Sequence, residues 1–153
     1  MPPPAEAEPG DMSSVLGGLV GGLAGAILAT GIWYGVVAAT QWQVGLVAVA
    51  VGWIVGQGVA FGAQRRGSVA LIPISVVLTL VALAVSEYLI IAHFVGQEFA
   101  AAGVPFDVLQ PVGVMVEVIV ESIKVEPITL AFWAIALVQA FVIPARLLGR
   151  RTA

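Results

Sequence analysis

The sequence predicts an all-α polytopic membrane protein, with four transmembrane helices and one amphipathic helix at the outer interface. Three observations carry that expectation. Hydrophobic residues fill 60% of the 153 positions and charged residues 10%, with a mean hydropathy of +1.07, whereas a water-soluble domain carries about 25% charged residues. The apolar residues gather into four runs, 15–40, 44–63, 69–94 and 128–145, each close to or above the roughly 20 residues a helix needs to cross about 30 Å of hydrocarbon. Strict alternation, the mark of a membrane barrel, is absent from these runs, and a helix is then the structure that satisfies every backbone amide within lipid.

Residues 1–14, MPPPAEAEPGDMSS, combine four prolines and three acids with almost nothing large to bury, which predicts a disordered tail. The tail has no Lys or Arg and the apolar run behind it is too long for the core of a secretory signal, so the first span is expected to be retained. A single transmembrane domain over 15–147 follows. Gln41, Trp42 and Gln43 form a turn so short that the first two spans are expected to be antiparallel neighbours, and Gln64 to Ser68 form a second short turn. The third connector, 95–127, is too short to build a core of its own and must rest on the bilayer or on the bundle. Within it Val108, Val112, Met115, Val116, Ile119, Val120 and Ile123 recur at helical spacing, with Gln110, Glu117, Glu121 and Lys124 on the other face. That pattern predicts an amphipathic helix over 111–124, lying in the outer interface or packed on the spans as a lid. Residues 148–153 form a basic tail.

Orientation follows from the basic residues. Arg65, Arg66, Arg146, Arg150 and Arg151 fall on one side of the spans and Lys124 alone on the other, so the positive-inside rule places both termini in the cytoplasm. Trp33, Tyr34, Trp42, Tyr88 and Trp133 all lie toward the outer ends, where amphipathic rings favour the headgroup level.

The glycine-rich first span ending in GIWYGVVAATQW, the second reading VAVGWIVGQGVAFGAQRRG, the stretch SEYLIIAHFV and the last span LAFWAIALVQAFVIPARLLGRR resemble a group of uncharacterised bacterial four-span membrane proteins. The likeness covers most of residues 16–151 and is one of glycine placement and hydropathy. It implies a bacterial inner-membrane address and brings no activity with it. Some proteins of that kind carry a zinc ribbon ahead of the spans; here the proline-rich tail takes its place, and a chain with no cysteine cannot build one.

Composition closes off other classes. Without cysteine there is no disulfide, iron–sulfur cluster or thiol catalysis, and six Lys plus Arg offer no face to a row of phosphates, so no nucleic acid is expected. The sole histidine, His93, supplies too few ligands for a metal and has no evident serine partner; neither a cofactor nor enzymatic catalysis is expected. What remains are candidates for packing and for polar chemistry within the spans. Gly17, Gly21 and Gly25, Gly31 and Gly35, and Gly52 and Gly56 repeat a four-residue spacing that lets helix backbones approach closely, either inside one bundle or as a seam for a partner protein or a second copy. Glu87 is the only formal charge within a span. About 27 Å along its helix, it is expected at the outer interface, reaching water or capping the lid helix, with proton or cation handling as the alternative. Gln57 and Gln139, toward the cytoplasmic ends of the second and fourth spans, either bond to one another or line a path. The leading functional expectation is a non-enzymatic accessory or partner-binding bundle in the lipid bilayer. The other is a small oligomeric transporter or channel with Glu87, Gln57 and Gln139 as polar waypoints.

Overall fold

The computed structural model describes residues 9–41 and 45–149. Trp42 and Gln43 of the first turn, residues 1–8 of the tail, and Arg150 and Arg151 lie outside the described residues. The chain runs through five helices, α1 (Pro9–Thr40), α2 (Leu46–Gly62), α3 (Leu71–Ala101), α4 (Val112–Val125) and α5 (Ile128–Gly149). The helices α1, α3 and α5 are long and apolar enough to cross a membrane, whereas α2 is a shorter apolar helix. The second run, expected over 44–63, forms the 17-residue α2, about 25 Å long.

Glycine sets the relative directions. An added Cβ at Gly17 would strike the backbone of Gly62, one at Gly21 the backbone of Gly58, and one at Gly25 would stand 3.0 Å from the Ile54 carbonyl oxygen. The paired numbers run oppositely, so α1 and α2 are antiparallel and nearly touch backbone to backbone. A second row on α1 faces α3, with Gly18 against Leu71 and Gly22 against Leu78, and higher up the Ser86 hydroxyl donates to that of Thr30. These helices run in the same direction. On the far side of α2, Gly52 meets the backbone of Ala136 and Gly56 meets Ile143 and Ala140, so α2 and α5 are also parallel. Between the four helices lies a core of Trp33 and Val37, Val51 and Val55, Leu83 and Ile90, and Ala136.

Three expected boundaries move. Residues 9–14, assigned to the tail, are helical, and Pro9 stands at the first helical position. The third helix, expected to end at residue 94, continues to Ala101 and stops where Gly103 adopts φ +71°, with Val104 N–H donating to Phe99 C=O and Gly103 N–H to Ala100 C=O, the glycine-closed helix end. The basic tail expected from 148 begins inside α5, which runs to Gly149 and accommodates Pro144 in its interior.

The connector that remains is folded on the bundle. Asp107 Oδ1 accepts from Leu109 N–H at 2.9 Å, Phe106 packs on Phe99 with ring centroids 5.4 Å apart, and the Tyr88 hydroxyl donates to Val108 C=O at 2.7 Å. Helix α4 buries no residue fully. Its edge Met115, Val118, Ile119, Ser122 and Ile123 is half-buried, while Val112, Val116 and Val120 remain exposed. One edge therefore serves as a lid and an apolar row is left facing outward.

Candidate functional site

Glu87 sits on α3 four residues after Leu83 and three before Ile90, both core residues, and helical geometry turns it inward with them. It has no exposed surface. The expectation of an acid reaching water at the outer interface is thereby corrected: α4 lies across it, and Ser122 Oγ donates to Glu87 Oε1 at 2.9 Å. The part of that expectation tying it to the lid helix describes this contact.

A cavity of about 170 Å³ adjoins it, lined by Glu87, Trp33, Gly45, Ala48, Glu126, Ile128, Thr129 and Phe132. Gly45 and Ala48 belong to the start of α2, and Ile128 and Thr129 to the start of α5. Two parallel helices thus present their N-terminal ends to one chamber. Each end carries about half a positive charge from unsatisfied N–H groups, which suits a carboxyl group in a place that otherwise disfavours it. Glu126, exposed at the C-terminal end of α4, brings a second carboxylate to the rim. Trp33, 1% exposed, closes one wall, and its indole Nε1 has no hydrogen-bond partner among the described residues.

Of the aromatic residues expected at the headgroup level, Trp42 lies outside the described residues, and Tyr34 and Trp133 are half-buried. Trp33 and Tyr88 are buried, one in the chamber wall and the other holding the connector. Tyr34 bonds across to α3 at His93 Nδ1, 3.0 Å away, while Gln97 Nε2 stands 3.0 Å from His93 Nε2. Both ring nitrogens of His93 are thus engaged in bridging neighbouring polar groups.

The other polar candidates lie elsewhere. Gln57 and Gln139 are half-buried and make no hydrogen bond to each other among the described residues. They are separated from Glu87 by the apolar layer of Val51, Val55, Leu83 and Ala136. Sequence reasoning did not single out Ser122, Glu126 or Thr129. Their common signal is position, at the junction where the amphipathic helix ends and Pro127 starts the last one.

The glycine candidates divide into two groups. Gly17, Gly21, Gly25, Gly52 and Gly56 all stand against neighbouring helices, whereas Gly31 and Gly35 are exposed with nothing within 4 Å of an added Cβ. Ala39 extends that exposed face by another turn. No group of three or more metal-ligating side chains converges among the described residues. Comparison with protein-family models, curated proteins and solved structures finds no match to this chain.

Proposed function

We propose that the chain is a four-span protein of a bacterial inner membrane, with both termini cytoplasmic, acting as a non-catalytic accessory subunit that docks another membrane helix on the outer half of α1. The carrying observation is the division of the glycines. Most glycine contacts hold the bundle together, but Gly31 and Gly35 leave an exposed small-residue face on a helix long enough to span. Close backbone approach at such a face is a main source of helix association in lipid. Four spans are supported by the pairing of α2 along α1 from Gly17–Gly62 to Gly25–Ile54, and along α5, which carries the shorter helix through the same layer. The likeness in glycine placement to bacterial four-span proteins supports the address.

The test uses the open space itself. Gly31→Leu with Gly35→Leu should leave the unfolding temperature in detergent unchanged, because nothing stands where the side chains would go. A photo-crosslinker at Ile32, 43% exposed, should couple to another polypeptide in native membranes, and the double substitution should abolish the product. Adducts to lipid alone, or crosslinking untouched by the substitutions, would sink the reading.

A second reading, a small oligomeric transporter, draws on the complete burial of Glu87 beside its cavity. The apolar residues Val51, Val55, Leu83 and Ala136 pack in the core beside Glu87, and the buried hydroxyls of Ser75, Thr79 and Ser86 give α3 a polar interior edge leading toward it.

A further inference from the structure

At the end of the bundle opposite the chamber, the chain reverses between α2 and α3 in a tight closure. Arg65 N–H donates to Ala60 C=O and Gln64 N–H to Phe61 C=O, both at 2.8 Å, with Gln64 at φ 53° and Arg65 at φ 56°. This six-to-one and five-to-two pairing ends the helix and folds the chain back over its last turn. Arg65 is thereby laid over Phe61, with its guanidinium carbon 4.5 Å from the ring centroid. Phe61 is itself 61% exposed, on an apolar helix whose surroundings are hydrocarbon under the four-span reading. The ring and guanidinium together straddle the boundary between apolar and polar layers, and the stacking restricts where the charge can go.

Two more arginines converge there. An added Cβ at Gly67 would stand 2.7 Å from the Leu147 carbonyl oxygen, so the turn presses on the end of α5, and Arg66 and Arg146 each immediately precede a residue of that contact. All three arginines are exposed. None takes part in an ion pair among residues 12–41 and 45–149, where the sole pair is Lys124 with Glu121 on α4. The acids of α3, α4 and their connector lie toward the other end, and Asp11 at the start of α1 is the one acid that the described helices bring to this end.

We propose that Arg65, Arg66 and Arg146 form a binding site for the phosphate group of an anionic phospholipid. Guanidinium forks match phosphate oxygens in a bidentate way, and basic residues at a membrane surface each strengthen attraction to anionic lipid by about fivefold. Three on one patch give a preference on the order of a hundredfold over a neutral headgroup. The exposed Phe61 beside them offers the acyl chain an apolar contact directly below the phosphate.

The proposal rests on the membrane-spanning reading and is tested separately from it. The full chain is reconstituted in vesicles of phosphatidylcholine and phosphatidylglycerol at about four to one, extracted mildly, and its retained lipids are identified by native mass spectrometry. The ratio of phosphatidylglycerol to phosphatidylcholine among the retained lipids should rise about tenfold or more above their share in the vesicle. Arg65→Gln, Arg66→Gln and Arg146→Gln combined should return it to that share, whereas Lys124→Gln at the other end should not. Absence of enrichment, or enrichment that survives the triple substitution, overturns the site. Displacement of the lipid by millimolar inorganic phosphate would overturn the lipid assignment in favour of a free anion. Failure of the chain to float with vesicles of phosphatidylcholine alone would instead refute the membrane reading beneath it.

Discussion

Glu87 accepts a hydrogen bond from the Ser122 hydroxyl on α4 and shares a cavity with the starts of α2 and α5. A buried carboxyl group of this kind contributes only while its partners remain in place, because a stranded polar group incurs the full desolvation cost. Glu87→Gln preserves an acceptor for Ser122 and should leave α4 docked. Glu87→Leu leaves that hydroxyl with no carboxylate to bond and should weaken α4 docking by about 1–3 kcal/mol. Amide hydrogen exchange across residues 112–125 measures the difference, with faster exchange expected in the leucine variant alone. Equal exchange in both variants would show that the Ser122 contact does not hold the lid. The closure at Gln64 offers a second residue-scale test. A residue with a Cβ at φ 53° bears a steric cost of roughly 1 kcal/mol that glycine avoids. Gln64→Gly should raise the unfolding temperature in detergent, and a lowered one would contradict the closure geometry.

Among the elements, α2 carries the most crowded contacts, with small residues facing α1 on one side and α5 on the other. Gly21→Leu would drive a side chain into the backbone of Gly58, which no rotamer change can relieve, and should destabilise the bundle by at least about 1–3 kcal/mol. Measured beside Gly31→Leu, which meets open space, it should give a large fall in unfolding temperature against almost none. Comparable falls in both would mean that the two groups of glycines are not distinct. The spacing of these glycines was legible in the sequence, but their division was not, because a repeat of four states which residues share a face and not which neighbour that face meets. The same limit applies to Glu87. Its distance along α3 could be counted from the start of the span, while its burial depends on Ser122, a residue 35 positions later on another element. The end of α3 was readable in principle: Gly103 followed by Pro105 is a helix stop signal. The apolar run, which tracks hydrophobic thickness, fades earlier than the helix does.

For the molecule as a whole, the separation of charge is the clearest organising feature. Five of the six basic residues, all arginines, belong to the closure after α2 and the C-terminal segment, whereas six of the nine acids belong to α3, the connector and α4, and the other three to the N-terminal segment. If the basic end is cytoplasmic, alkaline phosphatase fused after Ala153 should be inactive in a bacterial host, and the same reporter inserted between Gly103 and Val104 should be active. Activity at Ala153 with none at the internal site would invert the proposed topology. Equal activity at both sites would mean that α5 does not cross, leaving fewer than four spans.

The two-sided packing of α2 has a consequence for the order in which the protein can be made. Its Gly17–Gly62 face can close as soon as α1 and α2 have both left the ribosome, but the face carrying Gly52 and Gly56 must wait for Ala136 and Ala140. At a synthesis rate of about 5–20 residues per second, the interval between Gly56 and Ala136 lasts about 4–16 s. If α2 spans as proposed, throughout that interval a short helix with a bare glycine flank stands in lipid beside its hairpin partner. A nascent chain arrested before residue 128 should therefore expose that flank to whatever insertion factor or protease surveys unfinished membrane proteins, and completion of α5 should end its vulnerability at once.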